Sequence, residues 1–292
     1  MHLLCLGVMR RFLHAWVNGP RPYCVTQSQK TELSFRLISS AKYFPKAFQR
    51  KPRGVEELER WKATEYRNFF IYVGPVVLKG ILKDELYAHL LYLFVAARIL
   101  ASPGMCRTQH DYARQLLEYF SQECAHLYGA QSVVYNVHSI IHLAGECKVY
   151  GHLDSFSAFP FESYLGKIKK LLRSTNNPLS QLSRRVSECS QVDLLKTPRA
   201  ECNVEVNSTY ILSGGALVYV EAVNGNEVCC ASLPQKRAFF TKPLQSTTLN
   251  VFRTDKACTR NRWCHVTVFN NAKQCLKLDY KSGHVIMPLM HL

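Results

Sequence analysis

The sequence predicts a mainly α-helical chain, a helical bundle over residues 1–198, followed by a small β-rich domain of the barrel or sandwich kind over 199–292. Three observations carry this reading. Apolar residues recur at three-and-four spacing through most of the first part, the pattern changes to period two after Pro198, and Gly or Pro punctuates most changes of element. With 292 residues, 47% of them hydrophobic and 20% charged, the chain has the material for a real core.

Leu4, Val8, Met9, Phe12, Leu13 and Trp16 share one face of a helix over 3–17, stopped by Asn18-Gly19-Pro20. Residues 20–54 are rich in Pro, Ser and Lys/Arg and predict a mostly irregular connection with one short helix. Helices are expected over 55–72, 76–82, 84–101, 109–128 and 132–149, with breaks at Gly74-Pro75, Pro103-Gly104 and Gly129. Phe159-Pro160 opens a further helix to about Ser174, and Asn176-Asn177-Pro178 ends it and opens another to about Cys189. Strands fit 208–213, 216–223, 227–233, 237–241, 248–253, 263–269, 275–279 and 284–287, with Asn224-Gly225 as the strongest hairpin turn. Short strands at this density point to an SH3-like barrel or sandwich.

The 37 Lys+Arg against 21 Asp+Glu give a net charge of +16, which favours a polyanionic partner, DNA first, although an anionic surface or plain solubility would use the same charge. The 12 cysteines are scattered without CxxC spacing and read as buried thiols in a reducing compartment rather than as disulfides or zinc ligands. The apolar stretch Leu3–Met9 lacks a basic leader, and Leu86–Leu100 carries His89 and Arg98 and is too short to span a bilayer. The expectation is a soluble chain with no membrane partner.

There is no Gly-rich phosphate loop and no GxSxG elbow, so a conventional nucleotide or hydrolase site is not expected. His138 and His142 share a helix face at i,i+4 but lack the HExxH glutamate, and packed or hydrogen-bonded histidines are the favoured reading over metal ligands. Glu162 either stabilises a helix N-terminus or ligates a divalent metal with carboxylates supplied from elsewhere. The basic run Lys167, Lys169, Lys170 and Arg173, continued by Arg184 and Arg185, is either a solvated face or a contact for nucleic-acid phosphates. Trp61 and Tyr66 read as core and rim residues.

Several of these stretches, in this order, resemble the C-terminal half of CACTA-type (En/Spm-like) DNA transposases. They are Met1-His2-Leu3 with Leu6 to Arg11, Trp61 to Glu65, Tyr72 to Gly80, Tyr135-Asn136-Val137-His138 with His142-Leu143, and Phe159-Pro160-Phe161-Glu162 with Lys169-Lys170. The resemblance covers roughly residues 1–190. It implies an RNase H-like catalytic domain in which three acids hold two divalent metals, Mg2+ or Mn2+, with a helical insertion between the second acid and the third. On this reading His2 is the His of an Asp-x-x-His motif whose Asp lies before Met1, residues 20–150 are the insertion, and Glu162 is the third acid. One acid of three cannot assemble two-metal catalysis within this chain. The resemblance therefore implies a truncated or domesticated transposase fragment in the nucleus, inactive alone, that binds DNA or a protein partner or self-associates. Two other readings stay open: an active metal-dependent transposase or nuclease whose missing acids come from upstream or in trans, and a protein-interaction module built on the β domain.

Overall fold

The computed structural model describes residues 1–292 except 47, 49, 175, 195–203, 234–235, 256–260 and 291–292, and describes the backbone alone at 190–194. The boundary expected between 198 and 199 lies outside the described residues. The chain forms two compact units, one built from Met1–Phe156 together with Val204–Leu292, the other from Ser157–Asn203. The helical part is followed by an eight-stranded sheet.

The first unit opens with a π-helical stretch, Leu3–Met9, that runs into α1, Arg10–Asn18, and buries Leu4, Val8, Met9, Phe12, Leu13 and Trp16 as their spacing requires. The connection beyond it is more ordered than its composition predicts. Gln27–Ser40 forms α2, started by a capping box in which Thr26 Oγ1 accepts from Gln29 N and Gln29 Oε1 accepts from Thr26 N.

Residues 55–72 are not one helix. A 3-10 stretch, Val55–Arg60, is broken at Trp61-Lys62, and α3, Ala63–Asn68, passes through a π turn, Phe69–Val73, into α4, Gly74–Val77. The break expected at Gly74-Pro75 does not occur. Pro75 lacks the N–H that would meet the Ile71 carbonyl four residues back. Arg98 Nη1 bonds that carbonyl instead at 3.3 Å, and the π turn widens the helix beside it. Trp61 and Tyr66 are both buried.

Helix α5, Asp84–Ala101, buries every residue except Asp84, Glu85, Ala88 and Tyr92, and it packs on α7, His110–Tyr128. Between them lies α6, Pro103–Thr108. The stretch expected as one helix over 132–149 is divided into α8, Tyr135–Ser139, a 3-10 turn at Ile140–His142, and α9, Leu143–Tyr150. Leu153 N donates to Leu100 O at 2.9 Å, and Arg67 donates to Asp154 Oδ1 at 2.8 Å, so the chain beyond α9 is fastened to the bundle.

The strands are β1 Thr209–Ile211, β2 Leu217–Asn224, β3 Glu227–Ser232, β4 Arg237–Ala238, β5 Phe252–Asp255, β6 Arg262–His265, β7 Lys273–Tyr280 and β8 Gly283–Pro288. They form one antiparallel sheet in the order β4-β5-β8-β7-β1-β2-β3-β6. Two of the expected strands begin or end as 3-10 turns, at Ser246–Leu249 and Val266–Phe269. Alternate residues enter different cores: Tyr210, Val218, Val220 and Val228 pack with Phe269, whereas Ile211, Leu217 and Ile286 pack with Phe252.

The sheet and the bundle share buried groups. Arg98, 1% exposed, also donates through Nη2 to Pro288 O, and Met290 N donates to Tyr72 Oη. Among the described residues, no helix is long and apolar enough to cross a membrane.

Candidate nucleic-acid interface

The second unit carries the basic run. Its first helix, α10, spans Phe159–Leu171 and begins with Pro160 in the first turn, where a fixed φ and a missing N–H cost nothing. Glu162 also lies in that first turn, where the helix dipole favours a carboxylate, and its N–H donates to Ala158 O at 3.0 Å. At about 100° per residue, Phe161, Tyr164, Leu165 and Ile168 fall on one stripe, Lys170 falls opposite it, and Glu162 and Lys169 on one flank and Lys167 on the other border it. No residue of α10 is buried; even Phe161 and Leu165 are 70% and 62% exposed.

The turn after α10 is closed by one side chain. Gln181 of α11, Pro178–Leu194, accepts from Arg173 N at 3.1 Å and donates to Ser174 Oγ at 2.8 Å and to Asn176 O. This sets how the basic end of α10 meets the start of α11. Sequence reasoning passed over Gln181, because a glutamine one turn into a helix carries no distinctive spacing.

The cations of the run fall into two groups. Lys167, Lys169, Lys170 and Arg173 have no ion pair among the described residues and are exposed. Arg184 and Arg185 both bond Glu188, Nε to Oε1 at 3.0 Å and Nη1 to Oε2 at 2.8 Å. Arg185 and then Arg184 hold the Glu188 carboxyl below its ordinary range. The cations without an ion pair among the described residues therefore lie in α10 and the turn after it rather than in α11.

The two residues singled out by the resemblance lie in different units. His2 is half-buried at the start of the π turn in the first unit, and Glu162 is exposed in the second. Among the described residues, no three His, Cys, Asp or Glu side chains converge as a metal set. Asp154, five residues before α10, is committed to Arg67.

His138 and His142 are a correction to the expected packing. Both are exposed, their rings edge to face at 5.5 Å, because Val137 and Ile140 take the inward positions of this short turn. The described cysteines are free thiols. Cys5, Cys124, Cys147 and Cys275 are among the buried ones, whereas Cys189 is exposed; Cys202 and Cys258 lie outside the described residues. No protein-family model, curated protein or solved structure matches the chain.

Proposed function

We propose that this chain is a transposase-derived DNA-binding protein, inactive as a nuclease alone, that holds duplex phosphates with the polar side of α10. The observation that carries this is the exposure of Lys167, Lys169, Lys170 and Arg173 without a carboxylate partner among the described residues. Each such cation placed on a phosphate releases condensed counterions, which gives affinity without sequence readout. The CACTA-like motif order supports the choice of DNA among polyanions and, with it, a nuclear location. The reading of the sheet as a small SH3-like barrel or sandwich belongs to the same proposal, with the two packed clusters about β1 and β2 in its support.

Glu162 is the observation that favours the second reading, an active enzyme completed from outside this chain. It is exposed in the first turn of a helix, at the place where the resemblance puts the third acid of a Mg2+ or Mn2+ site. The ligands present among the described residues do not make such a site by themselves.

The test is fluorescence anisotropy of a labelled DNA duplex titrated with the full chain over a salt series. Replacing Lys167, Lys169, Lys170 and Arg173 by Gln is expected to weaken binding and to flatten the slope of log K against log salt by up to about 0.9 per lost phosphate contact. An unchanged slope, or no binding by the parent chain at low salt, rejects the proposal.

A further inference from the structure

A cleft of about 760 Å³ opens in the first unit between α2, the segment after α4 and the β7–β8 hairpin. That is the size of a small-molecule site. Its floor is held by α2: Arg36 Nη1 donates to both Val77 O and Lys79 O at 3.0 Å, and Gln29 Nε2 donates to Ile81 O at 2.9 Å. Lys79 is thereby fixed at the wall, where Nζ donates to Phe239 O at 2.6 Å and sits 4.2 Å from that ring's centroid.

Lys79, Lys281 and the ring of Tyr280 line the cleft, and Arg253 of β5, outside that lining, approaches the same ring, so three cations from three separate elements surround it. Lys79 lies 5.8 Å, and Arg253 and Lys281 each 5.7 Å, from the centroid of Tyr280. Among the described residues none of the three is ion-paired. Two carboxylates of the lining are already engaged, Glu32 by Arg36 at 2.6 Å and Asp279 by Lys42 at 3.4 Å and His284 at 3.1 Å. Asp84 belongs to the first turn of α5, where the helix dipole accommodates it. Burial, then Lys281 and Arg253, hold Lys79 below the ordinary lysine range, so the cluster is mutually repulsive as it stands.

Lys281 adds an independent observation. It occupies the tight β7–β8 turn at φ +52°, a left-handed position that Asn or Gly takes at lower cost. The turn therefore holds a charged side chain at the rim of the cleft. Phe35, 66% exposed, lines the same cleft and offers apolar surface to a base.

We propose that this cleft is a nucleotide-phosphate site, with Lys79, Arg253 and Lys281 receiving the phosphate and the aromatic wall receiving the base. It does not rest on the α10 reading, since it involves none of the same residues. The nucleotide is either free or part of a single strand, and two probes separate these sources. Mant-ATP and a 5′-labelled single-stranded oligonucleotide are each titrated with the full chain, the first with inorganic pyrophosphate as competitor.

Saturable mant-ATP binding displaced by pyrophosphate assigns a free nucleotide; binding of the oligonucleotide alone assigns a strand. In either case Lys281→Glu, at an exposed turn, weakens binding by about tenfold or more, and Lys79→Met and Arg253→Gln act in the same direction. Lys169→Gln with Lys170→Gln leaves mant-ATP binding unchanged. The proposal is overturned if the parent chain binds neither probe, or if all three cleft variants bind as the parent does while keeping its melting temperature.

Discussion

Helices α5 and α10 handle the same residue types in opposite ways. In α5 nearly everything is buried, Arg98 and His89 included. In α10 nothing is buried, and a stripe with Phe161 and Leu165 faces solvent beside lysines that have no ion pair among the described residues. The arginines make the contrast sharpest: Arg98 is 1% exposed and bonds the backbone carbonyls of Ile71 and Pro288, whereas the side chain of Arg184 in α11 is 81% exposed and shares a carboxylate. A charge in the first setting is a structural joint. In the second it stays at the surface.

The largest effect expected from this contrast is Arg98→Ala. It orphans the Ile71 carbonyl that Pro75 cannot satisfy, removes the bond to Pro288 and leaves a void, so a loss of about 3 kcal/mol or more is expected in urea unfolding. Arg184→Ala should stay within about 0.5 kcal/mol. Equal losses for the two variants would erase the distinction.

His89 gives the pH counterpart. It stacks on Phe120 at 3.9 Å, Nε2 donates to the Phe120 carbonyl at 2.9 Å, and burial lowers its pKa to about 4 from 6.5. The unfolded chain then takes up a proton that the folded chain refuses, so its contribution is intact above pH 6.5 and is lost as pH falls toward 4. The decrement approaches about 3 kcal/mol. Unfolding curves across this window should show it, and His89→Leu should flatten that part of the profile.

A smaller effect is expected at Thr26. Thr26→Ala removes the acceptor for Gln29 N and should cost about 1 kcal/mol by thermal melting. The consequence reaches further than α2, because the same Gln29 also bonds Ile81 O beside the cleft.

The same contrast decides how much was legible in the sequence. Helix α5 was read to its ends because its apolar content is nearly continuous and its limits are Asp84 and Ser102-Pro103. Helix α2 was missed as a full helix because polar residues, Ser above all, dominate it, although Thr26-x-x-Gln29 is a capping box that spacing alone could have revealed. The run through Pro75 could not be read, since the donor that rescues Ile71 lies 27 residues away on α5. At the candidate interface the lysines were legible as a charge run. Which of them are free was not, because the Glu188 pairing with Arg184 and Arg185 depends on helix α11 being formed. Lys79, Arg253 and Lys281 are far apart in sequence, and only the sheet brings them to one ring.

The smallest expected effect on stability is also the one that most sharpens the contrast. Lys169→Gln with Lys170→Gln removes two exposed charges that no ion pair holds among the described residues, so the melting temperature should not move beyond what a change within about 0.5 kcal/mol allows. If α10 presents these charges to phosphate, the double variant nonetheless loses duplex affinity at low salt, and the loss shrinks as salt is raised, because the missing term is counterion release. Arg184→Gln with Arg185→Gln makes the matched comparison. Those cations are already partly neutralised by Glu188, so their removal should cost less affinity than removal of the two lysines, and equal costs would move the interface from α10 to both helices.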